Sequence, residues 1–562
     1  MSEINNSTPW PEYPRPQFKR DSFFNLNGQW KLTVNQFDKI IYDGNITVPF
    51  PPESDLSGVK LTPSKDNILT YEKKFILPEN FNKGKVLLHF GACDQETRVS
   101  INGDYIGENV GGYLPFSFDI TDYINDYENL ITVDVVDTLD QALPYGKQRF
   151  KRGGMWYTPI SGIWQTVWLE SVPENHVESI QVTTTVDTAV ISVKGGIDEK
   201  KLILLNADNE ETKEFDFSGS SIKITLNNPE NWTPENPKLY YFKLISGQDT
   251  VESYFALRTI SIDHGEKHPR LLLNGKPYFF HGLLDQGYFQ DGIFLPASPQ
   301  GFLNDIKAMK ALGFNTLRKH IKIEPELFYY YCDREGMAVF QDFVNNGKYS
   351  FLIDTALPTI GLKKGITHKA TPWRAAMFES TANDTVELLY NHPSVVYYTI
   401  FNEGWGQYEP QRIYEKMKSL DPSRIWDTTS GWFNNSESDV ISEHVYFKKL
   451  KIKADKKNRK PLILSEFGGY ACKIKGHLFN EKKDYGYKFF DTPEKLQEAL
   501  SNLYLKEVLP LIEKEGLSAT ILTQVSDVED EINGLLTYDR EVCKVDKKAM
   551  NDIAEKLIKA CK

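Results

Sequence analysis

The sequence predicts three modules: an N-terminal jelly-roll-like β-sandwich, an immunoglobulin-like β-sandwich and a C-terminal (β/α)8 TIM barrel. Three observations lead there. The chain has 562 residues, more than one hydrophobic core supports. Its first half consists of short apolar runs broken by turn residues, without a helical period. Its second half alternates continuous apolar runs with amphipathic stretches, the mark of parallel strands covered by helices.

The first module is expected over 1–171. Runs such as KVLLHF, TRVSING, NLITVDVV and QTVWLE are separated by NGD and GG turns. A second β segment follows over 172–262, with ISVKGG, KLILLN, SIKITL and LYYFKLI, of a length that suits an immunoglobulin-like sandwich. Asp263, His264 and Gly265 read as a linker, and the barrel is expected over 263–562.

Eight strand candidates fill that last stretch: 278–284, 315–320, 338–343, 394–403, 424–431, 440–446, 461–468 and 519–527. Helical segments lie between them at 302–313, 326–336, 373–390, 408–420 and 495–516, with the poorest helical signal after the sixth strand. Seven of the eight runs are apolar first and polar at their C-terminal end: RKH, QD, NE, TTS, EHVY, SE and TQVSD. In a barrel those ends converge on one face, where active sites sit. A single polar strand end is commonly a cap or a turn; seven together point to a site.

Two carboxylates stand out in that set. Glu403 closes the fourth run after Asn402, and Glu466 closes the seventh after Ser465. Glycoside cleavage needs a proton donor and an anion across an oxocarbenium-like transition state, and in retaining enzymes the two carboxyls lie about 5–5.5 Å apart. Such a pair divides its duties, one carboxyl protonated and the other ionised. Arg318 at the second strand's end is placed to hold the nucleophile ionised, and Asn402 to hydrogen-bond the sugar 2-hydroxyl.

Composition bounds the alternatives. Apolar and charged fractions of 40% and 25% are ordinary, while aromatics at 13% are high, as in sheet cores and in sugar-stacking sites. The formal net charge of −12 disfavours nucleic acid, and the lysine-rich stretch 448–460 reads as a solvated face. The five cysteines, Cys93, Cys332, Cys472, Cys543 and Cys561, are scattered and lack metal-ligand spacing, so reduced thiols are expected. No apolar run is long enough to span a membrane, and the N-terminus lacks a signal pattern, so the expectation is a cytoplasmic protein without membrane partners. No cofactor or metal is expected; the sequence leaves a homo-oligomer open. The loop 347–370 after the third strand is either a lid or a surface excursion.

These residues carry a resemblance. The stretches YPRPQFKRDSFFNLNGQWKL (13–32), GGMWYTPISGIWQTVWLE (153–170), LLLNGKPYFFHGLLDQGY (271–288), the run 315–343, NHPSVVYYTIFNEGWGQ (391–407) and LILSEFGG (462–469) are similar to glycoside hydrolase family 2, over nearly the whole chain. That family contains β-galactosidases, β-glucuronidases and β-mannosidases. The resemblance implies a retaining, exo-acting hydrolase with Glu403 as acid/base and Glu466 as nucleophile. It implies sugar-contacting or site-shaping roles for His320 and His392, and a hydrogen bond from Tyr446 to the nucleophile. Trp432, Trp405, Gln524, Asp527 and Asp285 are further candidates, and Asp342 is expected to hold Arg318.

Two departures bear on the sugar. Where the family's large β-galactosidases carry an aspartate just before Met-Trp, this chain has Gly154 before Met155-Trp156. Where its β-glucuronidases carry Asn-x-Lys, this chain has Asn533-Gly534-Leu535, without the lysine. The expectation is therefore a terminal neutral β-linked sugar, with β-galactoside first. A β-glucuronidase, a β-mannosidase, an inverting hydrolase and a non-catalytic carbohydrate-binding protein are the alternatives.

Overall fold

The computed structural model describes residues 8–206, 211–265, 268–359, 361–362, 368–433, 437–454 and 460–561. Part of the loop 347–370 and part of the lysine-rich stretch 448–460 thus lie outside the described residues.

The front module is an antiparallel sandwich. A six-stranded sheet runs in the order 39–48, 28–36, 67–75, 129–136, 96–101, 104–110, beside a four-stranded sheet in the order 23–25, 167–172, 85–90, 116–119. The alternation in NLITVDVV shows why: Ile131, Val133 and Val135 point inward while Thr132 and Asp134 face out. The inward residues join Trp30, Leu69, Leu88 and Phe90 in one core, each burial worth about 1.5–3 kcal/mol. The second module has a three-stranded sheet (177–184, 188–195, 221–225) and a four-stranded sheet (211–218, 199–205, 240–246, 249–255) that share a second core.

The third module is a parallel barrel. Its strands are β1 Phe280–Asp285, β2 Thr316–Lys319, β3 Ala338–Asp342, β4 Val395–Phe401, β5 Ile425–Thr429, β6 Ile441–Val445, β7 Leu462–Gly468 and β8 Leu517–Thr523. Pairing runs β5-β4-β3-β2-β1-β8-β7-β6, so the eight-stranded sheet curls almost closed, with β5 and β6 at its two edges. All seven residues of β4 are buried, because side chains fill the interior and helices cover the exterior.

The covering helices are α1 Gln300–Ala311, α2 Glu326–Glu335, α3 Pro372–Leu389, α4 Pro410–Leu420, α5 Pro493–Leu503, α6 Leu509–Glu515 and α7 Lys547–Cys561. Proline begins α3 and α4, where a missing N–H costs nothing. Helix α2 stops at Gly336, whose φ is 75° and whose Cβ would meet Pro234 O at 2.3 Å. The alternation of strand and helix lapses where the helical signal is poorest. Among the described residues no helix links β5 to β6 or β6 to β7. The connection 430–440 is too short for a helical crossover, and the lysines of 448–460 supply no apolar stripe.

Both sandwiches dock on the barrel, and Gln17 of the front module shares Asn391 with the second module, donating to its carbonyl at 2.9 Å. Front-module residues reach the strands' C-terminal face: Tyr145 Oη donates to Gly347 O at 3.0 Å, and Tyr157 Oη to Glu531 at 2.5 Å. The second module meets the N-terminal end of β4, where Asn391 bonds Ile180 O (2.7 Å) and Val182 N (2.7 Å). A buried ion cluster ties the two sandwiches together, with Glu170 against Arg15 (2.7 Å) and Arg20 (3.3 Å), and Arg20 against Asp249 (2.8 Å).

Candidate active site

Arg318 is the hub of the barrel's C-terminal face. Its side chain, 1% exposed, leaves β2 and spreads its guanidinium among the ends of five other strands. Nε donates to Asp342 Oδ1 of β3 at 2.9 Å. Nη2 donates to Asn402 Oδ1 after β4 at 2.8 Å and to Ser430 Oγ after β5 at 3.1 Å. Nη1 donates to Ser465 O and Glu466 Oε1 of β7, both at 2.9 Å, and approaches His444 Nε2 of β6 at 3.4 Å. A rigid planar cation suits this task because its five N–H groups have fixed directions.

Glu403 reaches the same face by a local distortion. It follows the last residue of β4 by two positions, and its φ of 53° turns the chain left-handed. The following Gly404 (φ 68°) has no room for a side chain, since a Cβ would lie 2.4 Å from Phe433. A left-handed non-glycine residue costs about 1–2 kcal/mol, and such conformations gather at functional sites.

The two glutamates face each other across His444. Its Nδ1 lies 3.0 Å from Glu403 Oε1 and 3.5 Å from Glu466 Oε2. One oxygen of each carboxyl and this nitrogen all lie within 4.8 Å of one another. Tyr446 Oη donates a short hydrogen bond to Glu466 Oε2 and lies 3.1 Å from Thr523 Oγ1 of β8. Its ring stacks on Tyr487 at 4.0 Å. His320 binds Asp342 Oδ2 at 2.7 Å and stands 4.0 Å from Glu466.

These neighbours set the charge state of Glu466. Burial alone would lift the Glu466 carboxyl, but His444, Arg318, His320 and the Tyr446 hydroxyl outweigh it and hold it down to about 2. Burial also acts on Asp342, and Arg318 with His320 still keeps it below the usual carboxylate range. Burial beside Glu466 and Glu403 pushes Tyr446 well above an ordinary phenol, so it stays a donor. Among the described residues Glu403 has no guanidinium contact; it meets His444 and, through its backbone N–H, Ser430 Oγ at 3.3 Å. The arrangement thus offers an anion fixed at Glu466 and a second, separately held carboxyl nearby.

Glu403, Glu466, Asn402, Arg318, His320 and Tyr446 are brought together. Trp432 is adjacent, edge-on to His444 at 5.5 Å, with its indole N–H on Asp354 O (3.0 Å). Trp405 is buried behind Glu403 and packs on Trp156 of the front sandwich at 5.4 Å. Gln524 follows β8 but donates to Asn533 Oδ1 at 2.8 Å. Asp285 turns aside to Lys319 (2.7 Å) and Gly287 N (2.9 Å), and Asp527 to Lys544 (2.6 Å).

His392 is elsewhere. It precedes the first residue of β4 whereas Glu403 follows the last, and it is buried against Asp333 at 2.7 Å and Tyr254 at 3.4 Å. Its motif turns the chain into the strand at the end where the second sandwich docks, so the sugar contact expected of it does not match its position.

Sequence reasoning missed His444, although it stands in the polar end EHVY, because one strand-end histidine carries no sign of whom it faces. It also missed Ser430, Thr523 and Glu531. Among the described residues, two sets have the spacing to hold a metal ion: Glu403, His444 and Glu466, and the more exposed His477, Asp539 and Glu541. In the first, Arg318 already supplies a positive charge to Glu466.

Comparison with known proteins agrees with this architecture. Three family models match in series: Glycosyl hydrolases family 2, sugar binding domain, over 16–173; Glycosyl hydrolases family 2 over 167–258; and Glycosyl hydrolases family 2, TIM barrel domain, over 266–548. A β-galactosidase of Leuconostoc mesenteroides subsp. mesenteroides is 25% identical over 509 residues, covering 81% of this chain and 45% of the relative. One from Kluyveromyces lactis is 26% identical, covering 80% and 47%. A putative β-glucuronidase of Formosa agariphila is 24% identical, covering 78% and 54%. The chain therefore spans about half the length of the curated relatives it matches. Among solved structures, a β-D-glucuronidase of Dictyoglomus thermophilum shares the fold with a TM-score of 0.76 at 19% identity, covering 97% of this chain and 98% of that one. A β-glucuronidase of an uncultured Clostridium sp. follows at 0.74 and 20%, covering 97% and 99%. With three consecutive domain models matched and a barrel to carry them, the chain belongs to glycoside hydrolase family 2.

Proposed function

We propose that this protein is a retaining, exo-acting β-glycoside hydrolase in which Glu466 attacks the anomeric carbon and Glu403 serves as acid and then base. The observation that carries this reading is the pair itself. One oxygen of each carboxyl lies within 4.8 Å of the other across His444, while Arg318, His444 and Tyr446 contact Glu466. That spacing supports direct attack over the wider inverting arrangement, which needs about 6.5–9.5 Å to seat a water.

In the first half-reaction Glu466 forms a bond to the anomeric carbon as the glycosidic oxygen leaves with the proton of Glu403. In the second, Glu403 takes a proton from water, which displaces Glu466 and restores the starting configuration. Asn402, held by Arg318 at 2.8 Å, is positioned for the sugar 2-hydroxyl. Names among relatives and fold neighbours divide between β-galactosidases and β-glucuronidases, and they support the class of reaction more than one sugar.

The test is a panel of aryl β-glycosides with wild type, Glu403→Ala and Glu466→Ala. Glu466→Ala should lose turnover by several orders of magnitude; near-normal activity would sink the assignment. Azide should restore Glu403→Ala and give a β-glycosyl azide, by attack on the open face of the glycosyl-enzyme. An α-azide would exchange the two roles. Sugar binding with no turnover of any glycoside would favour a carbohydrate-binding protein.

A further inference from the structure

Among the described residues, one lysine of the front sandwich lies toward the barrel site with no carboxylate within 4.0 Å. Lys147 lies in the segment Tyr145–Gln148, which is pressed against the ends of β2 and β3. Tyr145 N–H donates to Asn345 O at 3.2 Å, and a Cβ on Gly146 would stand 2.9 Å from Ile321 O. Lys147 is 9% exposed. Among the described residues its ammonium has no hydrogen bond and no carboxylate within 4.0 Å; its contact is the Trp156 ring, 5.4 Å away. It lies within electrostatic reach of His320 and Glu531, which flank Glu466.

An ammonium on a side chain this buried is commonly paired with a carboxylate, which replaces the water that burial removes. Glu531 is not that partner: one of its oxygens accepts from Tyr157 Oη at 2.5 Å, the other from Asn533 Nδ2 at 2.9 Å. A ring face compensates only part of the lost hydration. Arg149 also lies over the Trp156 ring, its guanidinium 3.6 Å from the ring centroid and likewise without a carboxylate partner among the described residues. With Glu403, Glu466 and Glu531 around the site, a negatively charged substrate would be repelled unless a cation received it.

We propose that Lys147 is a specificity-determining residue that receives an anionic group, a carboxylate or a sulfate ester, on the terminal sugar of the substrate. This rests on the hydrolase reading above and narrows it. It also revises the expectation of a neutral sugar, which followed from the missing Asn-x-Lys of the barrel: here a cation comes from the sandwich instead.

The experiment compares 4-nitrophenyl β-glucuronide, 4-nitrophenyl β-galactoside and its 6-sulfate with wild type, Lys147→Met and Lys147→Arg. Calorimetric binding of glucuronate, galactose 6-sulfate and galactose to Glu466→Ala, with and without Lys147→Met, runs alongside. The expected result is a preference for a charged sugar that falls by about 10²-fold in Lys147→Met and survives largely in Lys147→Arg, in both kcat/KM and affinity. Whichever charged substrate shows the larger loss identifies the anion. Wild-type preference for the neutral sugar, or equal losses on charged and neutral sugars in Lys147→Met, overturns the proposal while leaving the hydrolase standing. Charge-selective binding without turnover of any substrate overturns the hydrolase reading and leaves the role of Lys147 standing.

Discussion

Replacing Tyr446 by phenylalanine should expose how Glu466 is kept ionised. The ring of Tyr446 stacks on Tyr487 at 4.0 Å with planes 10° apart, so Phe keeps the packing and removes only the hydroxyl. That hydroxyl donates to the Glu466 carboxylate. A hydrogen bond to a charged acceptor is worth about 1.5–3 kcal/mol, or about 1–2 pK units. Glu466, drawn to about 2 by His444, Arg318, His320 and Tyr446 against the effect of burial, should therefore rise to about 3–4. The nucleophile works deprotonated, so the acid limb of kcat/KM should move up by that amount, read on an aryl glycoside from about pH 2 to 7, where the variant's limb enters the range first. The stability linkage has the same sign. A depressed carboxyl contributes stability above its unfolded value near 4.3, and loses it as pH falls through the folded value. In Tyr446→Phe the stabilisation shrinks, and acid unfolding should begin at higher pH. An acid limb that stays where it is, in a variant that folds, would refute the hydroxyl's part in holding Glu466 ionised.

Other expectations test the surroundings. His444→Asn removes the nitrogen shared by both glutamates, so kcat/KM should fall by about 10–100-fold with an upward shift of the acid limb; a variant with wild-type kinetics would make His444 a packing residue. Glu170→Gln leaves Arg15 and part of Arg20 buried without their anion and should cost about 3–5 kcal/mol, read as a lower urea midpoint at pH 7. Although burial opposes it, Arg15, His89, Tyr13 and Arg20 hold Glu170 well below the usual carboxylate range. Its contribution is therefore present above about pH 4.3 and is lost as pH falls further, narrowing the difference between wild type and variant in acid. Gly162→Ala, at a φ of 72° and with its Cβ 2.1 Å from Tyr71 Oη, should lower Tm by a loss of about 2–4 kcal/mol without altering the pH profile.

Much of this was legible in one dimension because strand and helix periods are local. The run SVVYYTIFNE announces both a buried parallel strand and the polar end that follows it, and PLILSEFG does the same for Glu466. Once a barrel is accepted, those ends share a face, which is why Arg318, Asn402, His320 and Tyr446 were found with the glutamates. Local pattern gives no direction along the barrel axis to a residue outside a strand. His392, three residues ahead of β4, was therefore grouped with the site although it lies at the other end. The missing helices around β6 were foreshadowed by a poor amphipathic signal and follow from the shortness of the connection.

The sequence by itself determined the module order, the barrel and the two glutamates, because these depend on hydrophobic periodicity and on which residue closes each strand. Tertiary structure decided everything that depends on who faces whom. It set His444 between Glu403 and Glu466, gave Arg318 its contacts at the ends of five other strands, and brought Lys147 from a domain more than 150 residues earlier to the barrel mouth. Those relations are electrostatic and fall off with distance in space, which a sequence does not record.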